Sequence, residues 1–219
     1  MQRLKDIVVG IDVGGPKKGF HAVALFGGQV LARKSALNAT EMTEWCLLLG
    51  CTIVAVDAPC RWSLTGHARP AERKLAHSRK ISTFATPKRE KAESNPFYQW
   101  MLNGENLYGQ LQKTFRLFDG RDNKGKFCLE TFPQAVACAL SGRILPARKK
   151  CVNRRKVLLE HGIDISLLSN IDYVDAALCA VAARSVSAGK FETYGDKDGG
   201  LIVTPMWRDI AIYSGNEAG

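Results

Sequence analysis

The sequence predicts an α/β protein: a mixed five-stranded sheet flanked by helices and carrying a basic helical insertion. Three observations lead there. Two short β-branched runs, "IVVGID" and "TIVAVD", each end in an aspartate followed at once by turn residues. Apolar residues recur at helical spacing late in the chain, at Ile171, Val174, Leu178 and Val181. Between these regions, residues 61–126 hold 14 Lys/Arg against 6 Asp/Glu and carry little strand signal.

Taken in order, residues 6–12, 19–26 and 29–35 read as strands. They are separated by "GGPKKG" and by Gly27-Gly28, the latter a short hairpin signal. Thr40 is placed to cap the amphipathic helix "EMTEWCLLLG", which stops at Gly50. "CTIVAVD" (51–57) is apolar until its last residue, as a strand covered on both faces must be. Residues 58–125 form the insertion, expected over one edge of the sheet, with helices near 68–78 and 97–118. "KFCLE" is the fifth strand, and Pro133 suits the first turn of the helix "PQAVACALSG". A basic helix near 147–160 ends at Gly162, "IDYVDAALCAVAARSV" is the last strong helix, and "LIVTP" (201–205) is a short terminal strand. A doubly wound dinucleotide fold would need a Gly-x-Gly-x-x-Gly turn feeding a helix. Here "GIDVGGPKKG" feeds a second strand instead.

Composition narrows the function. At 219 residues, 46% hydrophobic and 24% charged, the chain can bury the core of a single domain. No apolar run reaches the roughly 18 residues of a membrane span. The N-terminus enters a strand without a signal-like apolar region, so a cytoplasmic location is expected. Seven cysteines, an odd number without Cys-x-x-Cys spacing, read as reduced thiols, and the scattered histidines (21, 67, 77, 161) speak against zinc. The net charge of +10 and pI of 9.4 favour a polyanionic partner, nucleic acid ahead of any membrane surface. Residues 143–160 concentrate this charge, with seven Lys/Arg against the lone Glu160.

The acids carry the chemistry. Asp12 ends strand one, Asp57 strand four and Glu130 strand five, while Asp172 and Asp175 share one face of the last helix. Alanines 176, 177 and 182 let that helix approach the sheet closely. Each acid has a structural alternative: Asp12 bonding its own turn, Asp57 serving a turn before Ala58-Pro59, Glu130 meeting a helix dipole, Asp172 capping its helix. Asp175 lies too far into the helix to cap it. Buried carboxylates a few Å apart repel unless a cation lies between them. Such a set suits Mg²⁺ or Mn²⁺, which prefer oxygen donors and assist phosphodiester cleavage.

The blocks "GIDVGGPKKGFHAVAL", "VAVDAPCRWSLTGHARPAERKL", "STFATP", "CLETFPQAVACAL", "DYVDAALCAVAARSV" and "GGLIVTP" occur in the order seen in domain of unknown function family 429. The chain resembles that family over roughly 7–206. The resemblance implies a ribonuclease H-like fold and a divalent-metal nuclease. It places the active acids at Asp12, Asp57, Glu130 and Asp175, with Asp172 matching a further acid.

Within the insertion, Arg69, Arg73, Lys80, Ser82 and Lys88 are the candidate phosphate contacts, and Glu72 is spaced to pair with Arg69. Trp62, Phe84, Phe97, Tyr98 and Trp100 either stack bases or form a satellite core. Two rival functions share the fold: a non-catalytic nucleic-acid-binding protein, and an ATP-using enzyme of the actin and sugar-kinase kind, whose first phosphate loop "DVGGPKKG" resembles.

Overall fold

In the computed structural model, residues 6–121, 124–146 and 148–207 are described. Strand β1 (Ile7–Val13) pairs antiparallel with β2 (Phe20–Phe26), which pairs antiparallel with β3 (Gln29–Ala36). Helix α1 (Ala39–Leu48) follows, and β4 (Ile53–Asp57) then enters parallel to β1. Asn38, not Thr40, caps α1: the Glu41 amide donates to its side chain at 2.8 Å. Gly50 lies just past the helix at φ +65°, a left-handed turn that glycine adopts freely.

Residues 58–125 supply α2 (Pro70–Arg79), the short α3 (Arg89–Glu93), a 3-10 turn at Pro96–Tyr98, α4 (Gln99–Leu111) and β5 (Arg116–Leu117). Residues 122–123 of that stretch, and residue 147 of the expected basic helix, lie outside the described residues. The expected helix at 97–118 stops at Leu111, where the chain turns into β5. Strand β6 (Phe127–Thr131) leads to α5 (Pro133–Ser141), α6 (Lys150–Glu160), α7 (Ile171–Ser187), β7 (Phe191–Asp196) and β8 (Gly200–Pro205).

Among the described residues the sheet has eight strands, not five, in the order β3-β2-β1-β4-β6-β8-β7, with β5 also on β6. The expected strands are β1 to β4, β6 and, at "LIVTP", β8; β5 and β7 are the additional ones. β5 and β8 divide the free edge of β6. β5 pairs with Phe127 and Cys128, while β8, paired antiparallel with β7, takes Glu130 and Thr131. β7 is largely half-exposed and β5 is two residues long, so neither carries a periodic apolar signal.

Alternation along β1 and β4 splits the core into two layers. Val8, Ile53 and Ala55 face α5, α6 and α7. Val9, Ile11, Val54 and Val56 face α1 and α4. β4, fourth of the seven strands in the main path, is therefore apolar on both sides. Gly10 lies under α7, where a Cβ would stand 2.1 Å from Ala176 O and Ala180 N. That missing methylene is what lets the helix backbone settle onto the strand.

Candidate metal centre and its cleft

Register brings the first acids together. Asp12 is opposite Asp57 in the parallel β1–β4 pair and opposite His21 in the antiparallel β1–β2 pair. All three side chains therefore leave the same face at the same end of the sheet, the face covered by α7. Helix α7 is capped by Asn170, whose side chain accepts from the Tyr173 amide at 3.0 Å. With the cap filled by Asn170, Asp172 is free to point at the strand ends, and Asp175 follows one turn later.

Asp12, His21 and Asp172 each offer one ligand atom, all within 4.8 Å of one another. That span is about what two donors on opposite sides of one Ca²⁺- or Mg²⁺-sized ion cover. Cations of the chain itself hold the acids. Lys18 Nζ lies 3.2 Å from Asp12 Oδ2 and 2.8 Å from Asp172 Oδ1. Arg154 of α6 pairs closely with Asp175 and donates to Gln134 Oε1 at 3.0 Å. His21 Nε2 is 4.0 Å from Asp172 Oδ2, and its buried Nδ1 has no partner among the described residues.

The electrostatics are those of crowded, dehydrated acids. Burial pushes the Asp12 carboxyl up to about 6; Lys18 opposes this, and Asp175 and Asp172 add to it. Asp57 is pushed well above the ordinary carboxylate range by burial, then by Asp12 and Asp175. Burial also raises Asp175, against the pull of Arg154. Burial lowers His21, leaving a neutral imidazole that can donate a lone pair. A divalent ion would oppose the three raised carboxyl shifts at once and would further favour the neutral imidazole of His21.

These groups open into a cleft of about 470 Å³ lined by Asp12, Asp57, Asp172 and Asp175, with Lys18, Lys80, Ser82, Lys150 and Arg154 around them. Of the candidate phosphate contacts, Lys80 and Ser82 lie here. Arg69, Arg73 and Lys88 do not line it. Arg69 is 2% exposed and clamps Glu72 (Nε to Oε1, 2.8 Å) and Glu130 (Nη2 to Oε1, 2.5 Å). Arg73 binds the Ala68 carbonyl, and Lys88 stands at the N-terminus of α3.

The structure does not bring Glu130 into the acidic cluster. Its register partner is Val56, one residue before Asp57, so it projects to the opposite face of the sheet. There the Cys60 amide donates to Oε2 at 2.9 Å and Arg69 closes around both oxygens. Sequence reasoning missed Lys18, His21, Lys150 and Arg154. His21 was within reach: the β1–β2 connection sets its position opposite Asp12.

The family described as "Protein of unknown function (DUF429)" matches residues 10–199 of this chain. No curated protein and no solved structure matches it.

Proposed function

We propose that this chain, which belongs to the DUF429 family, is a divalent-metal-dependent nuclease that hydrolyses phosphodiester bonds in nucleic acid. One observation carries the reading: Asp12, Asp57, Asp172 and Asp175, from two strands and a helix, line one cleft in which Lys18 and Arg154 are the cations bonded to them. The order β3-β2-β1-β4-β6 supports a ribonuclease H-like core. The free cysteines support a cytoplasmic setting.

The donor set, carboxylate oxygens plus one imidazole nitrogen, suits Mg²⁺ or Mn²⁺. Bound there, such ions supply an activated water and offset charge on the leaving oxygen. Asp12, His21 and Asp172 would hold such an ion, and Asp57 and Asp175 would extend the site along the cleft they also line. Lys80, Lys150 and the Ser82 hydroxyl face the same space and orient the phosphate. Lys18 neutralises Asp12 and Asp172 in the metal-free protein and competes with the ion for them.

The test is cleavage of labelled single-stranded, duplex and branched DNA and RNA in Mn²⁺, with EDTA and Asp12→Asn as controls. Metal-dependent cleavage lost in the variant is expected. Binding that survives EDTA, with no cleavage of any substrate, would assign the chain to non-catalytic nucleic-acid binding.

A further inference from the structure

A second, smaller cavity of about 200 Å³ adjoins the acidic cleft, and Asp57, Phe84 and Phe132 line both. Its walls are mostly apolar, from Val13, Pro59, Phe84, Trp100, Phe132 and Ile202, and Asp57, Thr83, Glu130 and Thr131 reach it as well. At this size it is below the roughly 300–1,000 Å³ typical of drug-sized ligand sites. It has room for one planar ring system.

The aromatic side chains around it are arranged as a platform. Phe84 meets Phe97 at 5.7 Å and Trp100 at 6.4 Å, both edge to face. Phe84 and Phe97 are 60% and 56% exposed, whereas Trp100 is anchored against the α1–α4 core. Exposed aromatics held by an anchored neighbour, beside a phosphodiester cleft on a chain of net charge +10, match the chemistry of base stacking.

We propose that this cavity takes one unpaired nucleobase of the substrate, so the protein acts on single-stranded or locally unpaired nucleic acid. The proposal rests on the nucleic-acid reading above. A base within a duplex has both faces covered by its neighbours and must leave the stack to enter. Stacking against aromatic walls tolerates any base, and the Glu130 carboxylate at the wall is already held by Arg69 and the Cys60 amide, so little sequence preference is expected.

The experiment uses the full chain carrying Asp12→Asn, with fluorescein-labelled single-stranded DNA and RNA and a duplex of the same sequence. Single strands are expected to bind tighter than the duplex. Adding Phe84→Ala is expected to weaken single-strand binding by about tenfold while duplex binding holds. Unlabelled single strand is expected to quench tryptophan emission, and Trp100→Phe to abolish that quench. Mn²⁺ titration of Phe84→Ala in the otherwise native chain separates the two readings. If Phe84→Ala binds single strands like its parent, or the quench survives Trp100→Phe, the base pocket is refuted; intact Mn²⁺ binding then leaves the metal centre standing. If the native chain binds neither Mn²⁺ nor any nucleic acid, both readings fall together.

Discussion

Replacing Gly10 with alanine tests how the site is assembled without touching any acid. The added Cβ would lie 2.1 Å from two backbone atoms of α7, whereas ordinary contact begins near 3.4 Å. Backbone atoms cannot rotate away, so the helix must retreat by about 1.3 Å, the difference between those two distances. Overpacking of this kind costs about 1–3 kcal/mol, and the upper end applies because two backbone atoms clash. For a chain of this length that is a fall in Tm of roughly 6–12 °C. The retreat also carries Asp172 and Asp175 away from Asp12 and Asp57. Mn²⁺ affinity, read by calorimetry below the new Tm, should fall by about tenfold or more, as when supports of a metal site are disturbed. Gly109→Ala is the control: nothing lies within 4 Å of its added Cβ, and in an exposed helical position it should be neutral or mildly stabilising. A Gly10→Ala protein that melts and binds Mn²⁺ like the native chain would refute the claim that the close approach of α7 sets the geometry.

Three further outcomes follow from the same geometry. In EDTA, Asp12 keeps its proton between its unfolded value of 3.8 and its folded value of about 6, so its contribution to stability should fall as pH rises through that window, and the raised Asp57 should carry the decline to higher pH. At 1.36 kcal/mol per unit the fall is about 3 kcal/mol; thermal melts should show it shrink in Asp12→Asn and should show Mn²⁺ stabilising the native chain increasingly over the same range. Glu130→Gln leaves buried Arg69 short of a charge and should cost about 3 kcal/mol, with Mn²⁺ affinity unchanged by calorimetry; a selective loss of Mn²⁺ binding would instead put Glu130 in the metal site. His21→Ala removes the one nitrogen donor, so competition titrations should show Mn²⁺ affinity falling more than Mg²⁺ affinity.

Much of this was legible in the residues because it is local. β-branched runs marked β1 and β4, spacing marked α7, and an aspartate at each strand end marked the cleft. The pairing of Arg69 with Glu72 was likewise readable from their spacing and is present. What could not be read depends on register and on distant partners. Glu130 stands one residue before the end of β6, whereas Asp57 ends β4, and that offset sends Glu130 to the other face of the sheet. Arg69 looks like a surface phosphate contact until Glu130, 61 residues away, buries it. Arg154 stands in a basic run whose other members are mostly solvated, and only the packing of α6 against α7 singles it out for Asp175. β7 has a mixed, half-exposed pattern and gains its identity from pairing with β8.

The central claim is that carboxylates from separate elements share a divalent ion, and Mn²⁺ calorimetry on the native chain, Asp12→Asn and Asp175→Asn tests it most directly. The native chain should bind Mn²⁺ with release of protons near pH 6, and each variant should lose affinity by about tenfold or lose a bound ion. Two folded variants that titrate with Mn²⁺ as the native chain does would contradict it.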